Sequence, residues 1–110
     1  MYNNGQGVSQ DYVQAVYWYR KSAEQGYAWG QCCLGFMYDD GHGVPDYTQA
    51  AYWYRKSAEQ GNAWGQFNLG DMYEFGKGVG KDISQAVYWY KKAAEQGQIN
   101  AKNALKRLGA

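Results

Sequence analysis

Small and apolar residues return along this chain with a helical beat. From Asp11 they fall at Ala15, Trp18, Tyr19, Ser22 and Ala23, the i, i+3, i+4, i+7, i+8 spacing of a helix with one buried face. The same beat follows Asp46 and Asp82. It is carried by the phrase "YWYRKSAEQG" at Tyr17 to Gly26 and again at Tyr52 to Gly61, and by "YWYKKAAEQG" at Tyr88 to Gly97. Each segment, termed helix B, opens on an aspartate with a glutamine three residues on: Asp11/Gln14, Asp46/Gln49 and Asp82/Gln85. That spacing predicts a reciprocal cap, in which each side chain bonds the other's backbone N–H. Gly26, Gly61 and Gly97 stand where a left-handed residue terminates a helix.

A second helical segment, helix A, is predicted from Ala28 to Tyr38 and from Ala63 to Tyr73. Its buried stripe is Gly30, Leu34, Met37 and Tyr38 in one copy, and Gly65, Leu69, Met72 and Tyr73 in the next. Glycine in a helix interior costs about 1 kcal/mol relative to alanine. Its recurrence at equivalent sites predicts a neighbour too close for a methyl group, expected to be a tryptophan of helix B. Ile99 to Leu108 forms one more helix A, with Ala101, Leu105 and Leu108 on its stripe. There Lys106 and Arg107 replace Gly70 and Asp71, as a last element facing water on one side would require.

The intervening runs repeat as well. "MYNNGQGV" at Met1 is followed 36 residues later by "MYDDGHGV" at Met37, and after another 35 by "MYEFGKGV" at Met72. A period of this length is the signature of a solenoid. The expected fold is all-α: a single array of six helices in the order B-A-B-A-B-A, divided into a partial unit 1–26, units 27–61 and 62–97, and a terminal helix 98–110. It is expected to be part of a longer array. Its Tyr12, Ala15 and Trp18 face then lacks a neighbour, and self-association through that exposed terminal face is an expected alternative to a dedicated ligand.

Composition narrows the function. The formal net charge is +1, and the basic residues come as scattered pairs, which leaves no stripe for nucleic acid. No apolar run reaches membrane-spanning length, and nothing at the N-terminus reads as a signal peptide. Aromatic residues make up 18% of the chain, mostly Tyr and Trp, suited to wedging between helices. The two cysteines, Cys32 and Cys33, are neighbours, and adjacent helical residues point about 100° apart, so two free thiols are expected.

Candidate chemistry is thin. "GKGVGKD" at Gly76 to Asp82 suggests a phosphate loop but fails on spacing and lacks the following hydroxyl residue, and its counterparts "GQGVSQD" and "GHGVPD" mark it as a repeat turn. His42 sits in one such turn near Asp39 and Asp40, too few ligands for a catalytic metal. Ser22 and Ser57 occupy packing sites where the third copy has Ala93. No acid/base pair shares a helical face. The expectation is a protein that is not an enzyme, with no cofactor and no metal.

Leu-Gly-x-x-Tyr at Leu34, Gly35 and Tyr38, repeated at Leu69, Gly70 and Tyr73, is followed in order by Gly-x-Gly-Val, Asp, Ala, Trp-Tyr, Lys, Ala and Glu-Gln-Gly. Over essentially the whole chain this resembles the Sel-1-like repeat, a relative of the tetratricopeptide repeat (TPR). The resemblance implies a right-handed superhelix of antiparallel helix pairs acting as an adaptor or scaffold that binds protein or peptide. Many bacterial relatives are exported or periplasmic and others cytoplasmic. The chain as given favours the cytoplasm, with export open to a parent carrying a signal peptide. The family usually has alanine where Gly30 and Gly65 stand. The disulfide of some secreted relatives does not fit adjacent cysteines and is not carried over.

Solenoids present one helix of each pair along a concave side. At 100° per residue, Trp29, Cys33, Phe36 and Asp40 form a stripe away from the packing face, continued by Trp64, Asn68, Asp71 and Phe75 and then by Asn100, Ala104 and Arg107, with Cys32 and Phe67 at its edge. Aromatic anchors among polar groups are the composition of a recognition surface. The alternative is that Trp29 and Trp64 pack between units. A second candidate surface is the row Tyr17, Tyr52 and Tyr88 on helix B, beside Arg20, Arg55 and Lys91, or else a mere product of duplication.

Overall fold

A computed structural model describes residues 5–41 and 45–110, with side chains from Tyr12 onward; Met1 to Asn4 and His42 lie outside the described residues. Six helices follow one another: α1 (Gly5–Glu24), α2 (Ala28–Asp40), α3 (Tyr47–Glu59), α4 (Ala63–Phe75), α5 (Ile83–Glu95) and α6 (Ile99–Leu108). No strand occurs among the described residues. Each helix packs on its successor, in a body of 44 × 27 × 25 Å, elongated as a row of helix pairs must be.

Three helix boundaries differ from expectation. α1 starts at Gly5, so Asp11 lies inside it and is no cap. The equivalent links are broken by Pro45 and Gly80, where α1 has Ser9, and serine allows the helix to run on. α2 and α4 extend past their tyrosines to Gly41 and Gly76, whose φ of 57° and 67° ends the helix while their N–H groups bond the carbonyls of Met37 and Met72. Gly26, Gly61 and Gly97 take φ near 90° as predicted.

The caps are half of a capping box. Asp46 and Asp82 each accept a bond from the N–H of Gln49 and Gln85 at 3.1 Å. The return bond is replaced: the N–H groups of Asp46 and Asp82 donate to the carbonyls of Tyr38 and Tyr73 at 2.9 Å. The donor that glutamine would have satisfied thus ties each helix B to the helix A before it.

Tryptophan joins one unit to the next. Trp53 sits with Ala23 and Leu34 of the preceding pair, and Trp89 with Leu69 and Met72. Both are 8% exposed, whereas their counterpart Trp18 in α1 is 63% exposed. The buried indole N–H groups of Trp53 and Trp89 lack a partner among the described residues. That costs about 1–3 kcal/mol. Removing an indole side chain of about 200 Å² from water returns about 5 kcal/mol, so burial wins.

The neighbour of the helix A glycines is a serine, not the expected tryptophan. A Cβ on Gly30 would overlap Ser22, and one on Gly65 would come 2.8 Å from the Ser57 Cβ. Ser57 needs that space because its hydroxyl donates to the Ala28 carbonyl of the preceding unit at 2.8 Å. The last pair makes the opposite exchange: Ala93 replaces the serine, Ala101 replaces the glycine, and both are completely buried. Gly35 and Gly70 do admit an aromatic ring, with a built Cβ only 2.7 Å from Tyr54 and Tyr90.

The glutamines of the second and third Glu-Gln-Gly phrases have a task that periodicity did not reveal. Gln60 Nε2 donates to the Gly26 carbonyl and to Gln31 Oε1, both at 2.8 Å. Gln96 repeats this on Gly61 and Gln66 at 2.7 and 3.1 Å. Gln31 and Gln66 are buried, and these bonds satisfy their carbonyl oxygens.

Candidate functional site

The helix A stripe is reached by following α2 and α4 away from the core. Leu34 and Leu69 are completely buried on one side, while Trp29, Phe36, Trp64 and Phe75 stand 46–61% exposed on the other. Between α2 and α4 lies a groove of about 300 Å³, lined by Tyr19 of α1 and by Trp29, Cys32, Cys33, Phe36, Met37, Trp64 and Asn68. Of the sequence-predicted residues it brings together Trp29, Cys33, Phe36, Trp64 and Asn68. Asp71 and Phe75 are outside its lining.

Tyr19 and Met37 were missed because their spacing places them on the packing face. Tyr54 and Tyr90, the counterparts of Tyr19, are buried over the glycines of a preceding helix A, whereas Tyr19 is partly buried and lines the groove.

Polar chemistry within the groove is sparse. Asn68 Nδ2 donates to Cys32 Sγ at 3.8 Å. Both cysteines are free; burial pushes the Cys32 thiol up to about 11 and the Cys33 thiol in the same direction, so neither is a thiolate at neutral pH. Asp71 faces the joint with α5. The Tyr90 hydroxyl lies 2.6 Å from Asp71 Oδ1 and 2.7 Å from Glu74 Oε1, and Arg107 of α6 grips Glu74 with two bonds of 2.6 and 2.9 Å. Arg107 therefore does more than face water: it holds a carboxylate that is itself buried. A hydroxyl has one hydrogen to give. Burial pushes the Asp71 carboxyl upward, while Arg107 holds Glu74 below its ordinary value.

Tyr17, Tyr52 and Tyr88 are about half-exposed and form an edge-on contact with the tryptophan that follows each. Their cations are Lys21, Lys56 and Lys92, 5.4–5.5 Å from the ring centres. Arg20 and Arg55, expected beside this row, instead donate to the hydroxyls of Tyr38 and Tyr73. The i, i+4 step from each tyrosine puts the lysine over its ring, while the arginines turn to a tyrosine of the neighbouring helix.

The loop that suggested a phosphate site has a packing role. A Cβ on Gly78 would overlap the Tyr47 carbonyl, and Lys77 lies 5.2 Å from the Tyr47 ring. Among the described residues, no helix is long and apolar enough to cross a membrane, and no three His, Cys, Asp or Glu side chains converge as a metal site.

Comparison with known proteins agrees with this architecture. The Sel1 repeat model matches residues 1–27, 30–62 and 65–98. No curated protein matches. A Sel1 repeat protein from Oxalobacter formigenes superposes with a TM-score of 0.78 at 42% identity, over 84% of this chain and 27% of its own. A protective antigen of uropathogenic Escherichia coli displaying an SLR fold gives 0.83 at 48% identity, over 94% and 22%. Helicobacter pylori cysteine rich protein B gives 0.75 at 32%, over 82% and 68%. The chain thus spans about a quarter of the length of the first two. With the repeat model matching three times along an all-helical row, the chain belongs to the Sel1 repeat family, TPR-related helical solenoids that generally act in protein–protein interaction.

Proposed function

We propose that this chain is a non-enzymatic adaptor that binds a segment of another protein along its helix A face, gripping it in the groove between α2 and α4. One observation carries the reading. Trp29, Phe36 and Trp64 remain 46–61% exposed around a single concavity, although the same helices bury their leucines completely. Exposed rings in a concave site are the usual anchors of binding energy, each worth about 2 kcal/mol or more when truncated. Trp53 and Trp89 are buried between pairs while Trp29 and Trp64 are not, which supports reading the latter two as contact residues.

The test is selection of short peptides from a displayed random library against the chain, followed by titration against a variant carrying Trp29→Ala and Trp64→Ala. Affinity is expected to fall at least about tenfold. Helical circular dichroism and the melting temperature should stay near wild type, since exposed substitutions usually lie within about 0.5 kcal/mol. A variant that unfolds would make both tryptophans structural and end the proposal.

A further inference from the structure

We propose that this groove reads main chain as well as a side chain. Its occupant is an extended, uncharged segment of another protein, with one apolar side chain among the rings and its backbone N–H and C=O paired with Asn68. The inference rests on the adaptor reading and adds the form and chemistry of the partner. Asn68 is the single carboxamide of the groove, whose other walls are rings, thiols and a thioether. A carboxamide offers two N–H groups and an oxygen with two lone pairs. Among the described residues Asn68 uses one of these, an N–H toward Cys32 Sγ at 3.8 Å. Its oxygen and second N–H are left for a ligand. The hydroxyl of Tyr19 is already bonded to the Cys33 thiol.

The fold does not need an amide at this position. The equivalent residue is Cys33 in α2 and Ala104 in α6, so a thiol or a methyl group satisfies packing there. Asn68 stands one turn beyond Trp64 on the same line of α4, with Trp29 and Phe36 on the α2 wall. An apolar side chain resting on those rings would bring its own main chain over the amide. Covered without a partner, the oxygen and N–H of Asn68 would lose water with nothing in exchange. A helical partner could not satisfy them, since its N–H and C=O groups are paired within the helix. An extended segment carries both groups free beside the side chain it presents. The charge of the occupant follows from the same walls. No charged side chain lines the groove, and burial keeps both thiols protonated at neutral pH. A cation or anion placed there would shed water and meet no counter-charge. A volume of about 300 Å³ is at the small end for a binding pocket, room for one large side chain.

The probe is the tightest peptide from the displayed-library selection, remade with a single backbone N-methyl group at each residue in turn and titrated into the unmodified chain. Methylation of the residue paired with Asn68 is expected to weaken binding about two- to tenfold, the range of one hydrogen bond, with little effect at its neighbours. Asn68→Ala should weaken the parent peptide by a similar factor and leave that methylated peptide no weaker than before. A mere clash of the methyl group would persist in the variant, so losses that simply add overturn the proposal. So does a scan without effect at any residue, since side chains alone would then be read. Loss at every residue with Asn68→Ala silent denotes a helical occupant and overturns it too. An anchor replaced by lysine or glutamate without loss overturns the uncharged segment. The adaptor reading survives each of these results if the parent peptide is lost with Trp29→Ala and Trp64→Ala. Binding indifferent to those two substitutions, or a selection that yields no peptide, overturns both.

Discussion

Where α2 meets α3, Tyr54 lies on Gly35 and donates its hydroxyl to Asp39 at 3.1 Å. Where α4 meets α5, Tyr90 lies on Gly70 in the same way, but its hydroxyl meets two carboxylates at 2.6 and 2.7 Å, with Arg107 behind them. The ring-on-glycine contact is common to both joints, so packing sets the distance between helices. The polar end differs because Phe36, spent on the groove in the middle repeat, corresponds to Asp71 in the next. One stripe position thus lines the groove in one unit and serves the joint in the other.

The sharpest way to break this comparison is to remove each hydroxyl. Tyr90→Phe is expected to destabilise by about 2 kcal/mol, because it strips a hydrogen bond from partly buried carboxylates, and Tyr54→Phe by about 1. Urea unfolding of the two variants measures both. An equal or reversed order would mean that the second carboxylate adds nothing.

Next in size is the exchange between serine–glycine and alanine–alanine pairs. Gly65→Ala forces a methyl against Ser57, an overpacking cost of about 1–3 kcal/mol, less up to about 1 returned by helix propensity. Adding Ser57→Ala should recover much of the loss even though it deletes the bond to the Ala28 carbonyl. A double-mutant cycle reads the coupling. Simple additivity would show that the two sites do not share a volume.

The smallest effect is in pH. Burial raises the Asp71 carboxyl, so its contribution is present below the ordinary aspartate value and is lost as pH rises through the folded one. The hydrogen bonds from Arg107 lower Glu74, whose contribution is present above the ordinary glutamate value and is lost as pH falls through the folded one. The two slopes oppose each other. Asp71→Asn should make melting temperature climb more steeply with pH across the carboxylate range, and Glu74→Gln should flatten or invert the climb. Melts at a series of pH values check the pair of signs.

Much of this was legible in residues alone. The helix B stops at Gly26, Gly61 and Gly97, and the stripe of Leu34 and Leu69, depend on local conformation and on a period, which neighbours in sequence carry. The exposed rings of the groove were legible too, since a helical wheel separates Trp29 and Phe36 from Leu34. The contact of Gly30 with Ser22, the replaced half of the cap and the glutamine clasps were not. Each depends on which atoms of a different helix arrive within 3 Å, and periodicity has no access to that distance.

By itself, the amino-acid sequence determined the helices, most of their ends and the order in which faces are buried, because propensity, capping and apolar spacing act over a few residues. Tertiary structure decided the rest. Trp53 and Trp89 are buried while the identical Trp18 is not, Asp71 turns to Tyr90 while Phe36 turns to the groove, and Arg107 closes on Glu74. Equivalent residues acquire different roles because burial and pairing depend on whether a neighbouring helix stands within reach.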